Sequence, residues 1–205
     1  MVFVEHHRGV APRIETLGLY RSGGKRVLDV VLTLLLLPLW LPLVVIFWFF
    51  ALLETGSGSF ADTRVGRNGQ RFKCLKIRTL RRDVSRRCAA EKPCLNPYAT
   101  PMGRFLRRSS LDEIPQFWCV LKGEMSLVGP RPVPEFELNR YGTQRSAYLQ
   151  MRPGLSGLWQ VSGRNALCYS KRVALDVEYS QAVTLMGDVR IIGATVLEIF
   201  KFSGR

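Results

Sequence analysis

The sequence predicts a mainly α-helical protein with one small β-hairpin, in which a membrane helix broken by proline precedes a compact domain. An uncharged apolar run lies between Asp29 and Glu54, an Asn68-Gly69 turn signal joins two strand-like segments, and the C-terminal region has helical apolar spacing. We therefore expect three parts: an N-terminal extension at 1–24, the membrane helix at 25–54 and the compact domain at 55–205.

The apolar run is long enough for a membrane, since about 20 such residues span a bilayer core as a helix. Pro38 and Pro42 fall near its middle, and each removes a backbone donor, so the helix should bend there. Basic residues flank both ends and favour the cytoplasmic side for both. The residues leave two alternatives open, a re-entrant helix that enters and leaves the same leaflet and a kinked helix that spans the membrane.

The chain is strongly basic, with 30 Lys and Arg against 16 Asp and Glu and a formal net charge of +14. Such a charge attracts nucleic acid, anionic lipid headgroups or nucleotide diphosphates, and by itself it does not select among them. The five cysteines lack the spacing of a zinc site, which indicates reduced thiols in a protein that faces the cytosol.

The hairpin is predicted from Ser59–Val65 and Gln70–Arg78 on either side of the Asn68-Gly69 turn. Its second strand alternates basic and apolar residues, and a solvated basic face is the default interpretation. Some of these cations could instead face a ligand; they are Arg71, Lys73, Lys76 and Arg78.

Two adjacent carboxylates, Asp112 and Glu113, lie among cations that could hold an anionic ligand. Ser110-x-x-Glu113 also matches a helix capping box, and Pro115 requires that the following helix begin no earlier than about Asp112. On the local pattern alone we favour capping over catalysis. The surrounding cations are Arg104, Arg107, Arg108, Lys122 and Arg131.

Proline and glycine punctuate two later segments, GPRP at Gly129–Pro132 and RPGLSGLWQVSGRN at Arg152–Asn165. They predict rigid turns that present Arg131, Arg152 and Arg164, and the planar fork of arginine suits phosphate. Two helices should follow, at Leu175–Val183 and at Asp188–Phe202, with Gly187-Asp188 as the start signal of the second. The last helix can pack in the core or lie at the membrane interface.

These segments in this order resemble the bacterial sugar transferase family, the monotopic phosphoglycosyl transferases. The resemblance covers nearly the whole chain from about Lys25, and the long motifs are specific. The segments that carry it are KRVLDVVL at Lys25–Leu32, FKCLKIRTL at Phe72–Leu80, GRFLRRSSLDEIPQFWCVLKGEMSLVGPRP at Gly103–Pro132, and RPGLSGLWQVSGRN.

The resemblance implies transfer of a sugar 1-phosphate, with hexose expected, from a UDP-sugar to undecaprenyl phosphate, with release of UMP. It also implies Mg²⁺, a re-entrant membrane helix, and a position among the lipids of the cytoplasmic face of the bacterial inner membrane, at the start of exopolysaccharide or surface glycan synthesis. Nucleic acid is not an expected partner. The oligomeric state and the role of the N-terminal extension are left open.

The resemblance further implies that Asp112 is the nucleophile of a phosphosugar-aspartyl intermediate and that Glu113 assists metal binding or proton transfer. Asp112 and Glu113 are the expected Mg²⁺ ligands. The chain departs from the family pattern at Leu41-Pro42, where Ser-Pro is common, and at Cys119 and Glu124. The expected substrate- or phosphate-binding residues are Lys76, Arg78, Arg108, Arg131, Arg152, Arg164 and Asp176.

Two other functions remain as alternatives from the sequence. One is a membrane glycosyltransferase that moves only the sugar and releases UDP. The other is a non-enzymatic, membrane-anchored basic protein that binds nucleic acid or anionic lipid, which explains the charge but leaves the carboxylate pair unexplained.

Overall fold

A computed structural model describes residues 18–81 and 98–200. Most of the predicted N-terminal extension lies outside these ranges, as do Cys88 and Cys94. The helices and strands have these bounds: α1 Lys25–Leu35, α2 Leu37–Thr55, β1 Ser59–Val65, β2 Arg71–Ile77, α3 Pro101–Ser109, α4 Gln116–Lys122, β3 Ser126–Val128, α5 Glu135–Leu138, α6 Arg145–Leu149, β4 Gly154–Ser156, α7 Leu158–Val161, α8 Tyr169–Gln181 and α9 Leu185–Phe200.

The apolar run folds as α1 and α2, which meet at Leu36 (φ −83°, ψ −6°). Pro38 lies in the first turn of α2, where its missing donor costs nothing, and Pro42 lies inside the helix. The break therefore precedes both prolines, whereas the sequence placed the bend at them. The physical reason is that Pro38 cannot donate to the carbonyl of Leu34, so the chain begins a new helix just before it.

Both ends of this apolar segment lie against the same folded domain. At its start, the guanidinium of Arg26 donates to the carbonyls of Val120 and Leu121 at the end of α4. At its end, Ala51 packs in a cluster with Ile77 and Leu106. The same domain therefore contacts both ends of the apolar segment.

Among the described residues, α2 is the one helix long and apolar enough to cross a membrane by length and composition, and only 11% of its apolar window is buried. Several of its large side chains are exposed, among them Leu39, Val45, Phe49 and Leu53. Embedding in a membrane stays a prediction that this uncovered apolar surface favours.

The predicted hairpin is confirmed, since β1 and β2 pair antiparallel from Ser59 opposite Ile77 to Val65 opposite Arg71. Asn68 (φ 58°) and Gly69 (φ 78°) both take the left-handed conformation that tight hairpin turns require. The alternation along β2 places Lys76 on the same face as the buried Phe72 and Cys74. For Lys76, therefore, the default interpretation of a solvated face is wrong.

A second sheet pairs β3 and β4 in parallel, with Ser126 opposite Gly154 and Val128 opposite Ser156. This pairing was not predicted. It brings the GPRP turn beside the start of the RPGLSGLWQVSGRN segment, and a side chain at Gly129 or Gly154 would collide with the facing backbone. The two motifs therefore form one rigid unit, consistent with the rigid turns that the sequence predicts.

The two C-terminal helices are present, although α9 begins at Leu185 and not at the predicted Gly187-Asp188 signal. The hydroxyl of Thr184 accepts a hydrogen bond from the backbone N–H of Gly187 and so caps the helix. Asp188 is buried instead, where it accepts hydrogen bonds from Tyr20, Lys25 and Tyr179. This network fastens the start of the apolar segment to α9.

Candidate active site

The carboxylate pair lies on a short turn between α3 and α4. Ser110 ends α3 in the left-handed conformation (φ 60°), Leu111–Glu113 forms one 3₁₀ turn, and Pro115 precedes α4. The Ser110 side chain caps no helix, and the carboxylate of Glu113 accepts hydrogen bonds from Lys76 and Arg131. The predicted capping box is therefore wrong, because the helix begins only at Gln116, after both of its residues.

Glu113 is held by two cations from distant parts of the chain. Its Oε1 accepts from Lys76 Nζ at 2.6 Å and from Arg131 Nη2 at 2.7 Å, and its Oε2 accepts from Arg131 Nη1 at 3.4 Å. Burial raises the pKa of Glu113, but Arg131 and Lys76 together outweigh it and hold the pKa well below its usual range. Glu113 is therefore an anion throughout the physiological range.

Asp112 has a different environment, although it is the next residue. No group of the described residues donates a hydrogen bond to its carboxylate. Burial and then the charge of Glu113 raise the pKa of Asp112 to about 6, against the attraction of Lys76, Arg107 and Arg131. An unperturbed aspartate has a pKa near 3.9. The carboxylate is still mostly ionised at pH 7, and its oxygens are available to a ligand.

The pair lies in the wall of a cavity of about 470 Å³, a size that suits a small-molecule substrate. Beside the pair, Lys76, Arg107 and Arg131 form the cationic end of this cavity. Another part of the wall is apolar and comes from α1, the helix break and α9, and a third part carries aromatic and polar groups. The apolar residues include Leu32, Leu36, Ile192, Val196 and Ile199; the third part includes Tyr141, Trp159, Gln160, Arg164, Tyr169, Arg172 and Asp176.

The cavity brings together six of the predicted site residues, namely Asp112, Glu113, Lys76, Arg131, Arg164 and Asp176. Arg164 is fixed by its own Nε, which donates to the carbonyl of Gln160 at 3.2 Å, and it lies 4.0 Å from the Glu198 carboxylate. Their placement is compatible with the predicted roles, which stay predictions.

Three predicted arginines do not line this cavity. Arg78 lies beyond the end of β2, with its guanidinium over the Phe60 ring at 5.6 Å. Arg108 is exposed on α3. Arg152 Nε donates to the carbonyl of Gly123 at 2.8 Å, so Arg152 fastens the end of α4. Spacing along the chain did not reveal these positions, because each depends on the packing of an element against its neighbours.

Arg107 is the cation that the predicted binding set lacked. It lines the cavity, and its buried Nη1 has no hydrogen-bond partner among the described residues. Adjacent residues of a helix point about 100° apart, and here Arg107 lines the cavity whereas Arg108 is exposed. The sequence signal was the basic cluster before the pair, but only the rotation of α3 selects the residue. Tyr141 and Trp159 line the cavity without any comparable signal.

This geometry defines a protein suited to phosphate chemistry beside an apolar phase: an open carboxylate with three cations beside it shares one cavity with an apolar wall. The comparison with protein families agrees, because a model described as bacterial sugar transferase matches residues 20–202. The chain belongs to the bacterial sugar transferase family.

Three relatives illustrate the similarity. The UDP-galactose-lipid carrier transferase of Erwinia amylovora is 40% identical over 195 residues, which cover 88% of this chain and 41% of the relative. The undecaprenyl-phosphate galactose phosphotransferase of Salmonella typhimurium is 36% identical over 221 residues, which cover 100% of this chain and 46% of the relative. The exopolysaccharide production protein ExoY of Rhizobium meliloti is 41% identical over 192 residues, with 85% of each chain covered. The chain thus spans less than half the length of the first two.

Proposed function

We propose that the protein transfers a hexose 1-phosphate from a UDP-sugar to undecaprenyl phosphate and releases UMP. The observation that carries the proposal is the open carboxylate of Asp112 beside Lys76, Arg107 and Arg131, in a cavity with an apolar wall. A soluble anionic donor and a lipid acceptor can both reach such a cavity. The names of the relatives, which include UDP-galactose, undecaprenyl phosphate and exopolysaccharide production, support this choice.

The reaction proceeds in two displacements at one phosphorus. A carboxylate oxygen of Asp112 attacks the phosphorus that bears the sugar; the bond from this phosphorus to the bridging oxygen breaks, and UMP leaves with the electron pair. A phosphate oxygen of undecaprenyl phosphate then attacks the same phosphorus, and the Asp112 carboxylate leaves. The three cations offset the repulsion between the carboxylate and the diphosphate.

Glu113 serves this reaction as a positioning residue. Its ion pairs with Lys76 and Arg131 hold both cations at the cavity. A carboxyl group with so low a pKa is a poor proton acceptor near neutral pH. Of the roles that the family resemblance implies, proton transfer by Glu113 is therefore the one that the geometry supports least.

The carboxylate pair also fits Mg²⁺. The described residues contain no group of three metal-ligating side chains, but magnesium commonly takes one or two carboxylates together with substrate phosphates and water. Asp112 has open oxygens for this, whereas the oxygens of Glu113 already accept hydrogen bonds from Lys76 and Arg131. When bound, the ion supplies positive charge to the phosphate oxygens. We assign it to Asp112 first and to Glu113 second.

The acceptor requires the active site to lie at the membrane surface. The exposed apolar side chains of α2 and the contacts of both ends of the segment with one domain support a re-entrant helix in the cytoplasmic face of the bacterial inner membrane. The break at Leu36 lines the same cavity as the carboxylate pair. Lipid can therefore meet the reacting groups without leaving the headgroup level.

The test is to identify the nucleotide product. Purified protein in vesicles that contain undecaprenyl phosphate is supplied with UDP-galactose or UDP-glucose and Mg²⁺, and the released nucleotide is separated by chromatography. UMP is expected, and Asp112→Asn should abolish its release, because an amide is not a nucleophile for phosphorus. Release of UDP, or near-normal UMP release by Asp112→Asn, would contradict the proposal.

A further inference from the structure

Asp176 is a buried carboxylate that the proposed displacements do not use. It lies on α8 in the wall of the cavity and is 3% exposed. Its Oδ2 accepts a hydrogen bond from the Tyr141 hydroxyl at 2.8 Å, whereas its Oδ1 is buried without a partner among the described residues. A buried acceptor without a donor is costly, so its presence in a cavity wall requires an explanation.

The surroundings of Asp176 suit the binding of phosphate poorly. Burial raises the pKa of Asp176 to about 7, opposed by the hydrogen bond from Tyr141, and no cation of the described residues lowers it further. An ionised carboxylate without a cation repels a diphosphate. Substrate binding by Asp176 stays a prediction, and the geometry favours a neutral hydrogen-bond donor of the substrate over its phosphate.

The proposed reaction supplies such a donor. The sugar is joined through one oxygen to the phosphorus that Asp112 attacks. Its ring must therefore lie in the same cavity, next to the cationic end. A hexose carries several hydroxyl groups, and the rings of Tyr141, Tyr169 and Trp159 in the wall provide apolar surface for its carbon faces. Tyr141 Oη fixes the orientation of the Asp176 carboxylate and leaves Oδ1 for the ligand.

We propose, on the basis of the proposed function, that Asp176 Oδ1 accepts a hydrogen bond from a hydroxyl of the transferred hexose and thereby determines which sugar is accepted. Epimeric hexoses differ in the direction of one hydroxyl. A site built to bond a hydroxyl rejects the sugar that does not present it, because the buried acceptor is then left unpaired.

The experiment measures binding without turnover. In full-length protein that carries Asp112→Asn, the dissociation constants of UDP, UDP-glucose and UDP-galactose are measured by calorimetry, with and without Asp176→Asn. One UDP-hexose should bind more tightly than UDP. Asp176→Asn should raise the dissociation constant of that UDP-hexose about tenfold. It should leave the dissociation constant of UDP unchanged, since only the sugar contact is lost.

Asp62→Asn is the matched control, because it makes the same chemical change on β1, outside the lining of the cavity. It should leave all three constants unchanged. If Asp176→Asn does not fold, Tyr141→Phe replaces it, and the loss of the orienting hydroxyl should reduce the difference between the two UDP-hexoses severalfold.

Two outcomes would overturn the proposal. Equal weakening of UDP and both UDP-hexoses would assign Asp176 to the nucleotide, and unchanged constants for all three would leave it a purely structural role. The proposed function fails separately. Wild-type protein that binds UDP-hexoses through Asp176 but releases no UMP would contradict the reaction and still support the sugar contact.

Discussion

Two buried carboxylates in the wall of one cavity have pKa values that are shifted in opposite directions. Lys76 and Arg131 hold the pKa of Glu113 well below its usual range, although burial alone would raise it. Burial raises the pKa of Asp176 to about 7, and the Tyr141 hydroxyl is its partner. The surroundings of Glu113 therefore suit anions and those of Asp176 suit neutral hydrogen-bond donors, the two halves of a sugar phosphate.

Glu113→Gln should break the cationic end and, after Asp112→Asn, give the largest loss of activity. Lys76 and Arg131 would lose their shared anion and repel each other. The rate of UMP release should therefore fall about 100-fold or more, and the free energy of unfolding should fall by about 3 kcal/mol. Steady-state kinetics and thermal unfolding measure the two effects.

Glu135→Gln is the control for this variant, because it removes a carboxylate from a pair in which the side chains of Arg71 and Glu135 are 65% and 59% exposed. Its effect on stability should stay within about 1 kcal/mol. Wild-type rates of UMP release for Glu113→Gln would show that the Glu113 carboxylate is not needed to position Lys76 and Arg131.

The second prediction separates two neighbouring arginines of α3. Arg107→Gln should lower kcat/KM for the UDP-sugar about 10- to 100-fold, because Arg107 faces the cavity and acts on the Asp112 carboxylate. Arg108→Gln should stay within about twofold, since its side chain points about 100° away. Equal losses in the two variants would mean that the rotation of α3 is not as described.

Local signals predicted those parts of the fold and site that depend on neighbouring residues. Asn68 and Gly69 specify their own turn, and the hairpin follows from it. The carboxylate pair was found for the same reason, since its residues are adjacent. The β3–β4 pairing could not be predicted in this way, because two three-residue strands separated by long stretches of chain carry almost no periodic signal.

The electrostatic surroundings of each site residue were also beyond the sequence. Lys76, Glu113 and Arg131 come together only when β2 packs against the turn of the pair and the segment after β3. Among the described residues no cation lowers the pKa of Asp176, and this too depends on the packed structure. A list of charged residues names the candidates, but packing decides which charges are paired.

The third prediction concerns the pH dependence of the first displacement. The pKa of Asp112 is raised to about 6, so the nucleophile loses its charge as the pH falls through 6, and kcat/KM should fall about tenfold per pH unit below it. Glu113→Gln removes the repulsion of a neighbouring anion and should move the residual profile to lower pH. A profile that is flat down to pH 5, or a shift to higher pH in Glu113→Gln, would contradict the assignment.

The last prediction concerns the free energy of unfolding, as set by the charge of Asp176. Because the pKa of Asp176 in the folded state, about 7, lies above its unfolded value of 3.8, its contribution to stability is complete below about pH 4 and is lost as the pH rises through 7. Asp176→Asn cannot ionise, so the variant should be more stable than the wild type at pH 8, by about 4 kcal/mol, and within about 1 kcal/mol of it at pH 4. Chemical unfolding at the two pH values measures the difference. A carboxylate that selects the sugar can be retained for function although it destabilises the fold. A variant that gained no stability at pH 8 would show that the buried charge is compensated in the folded protein.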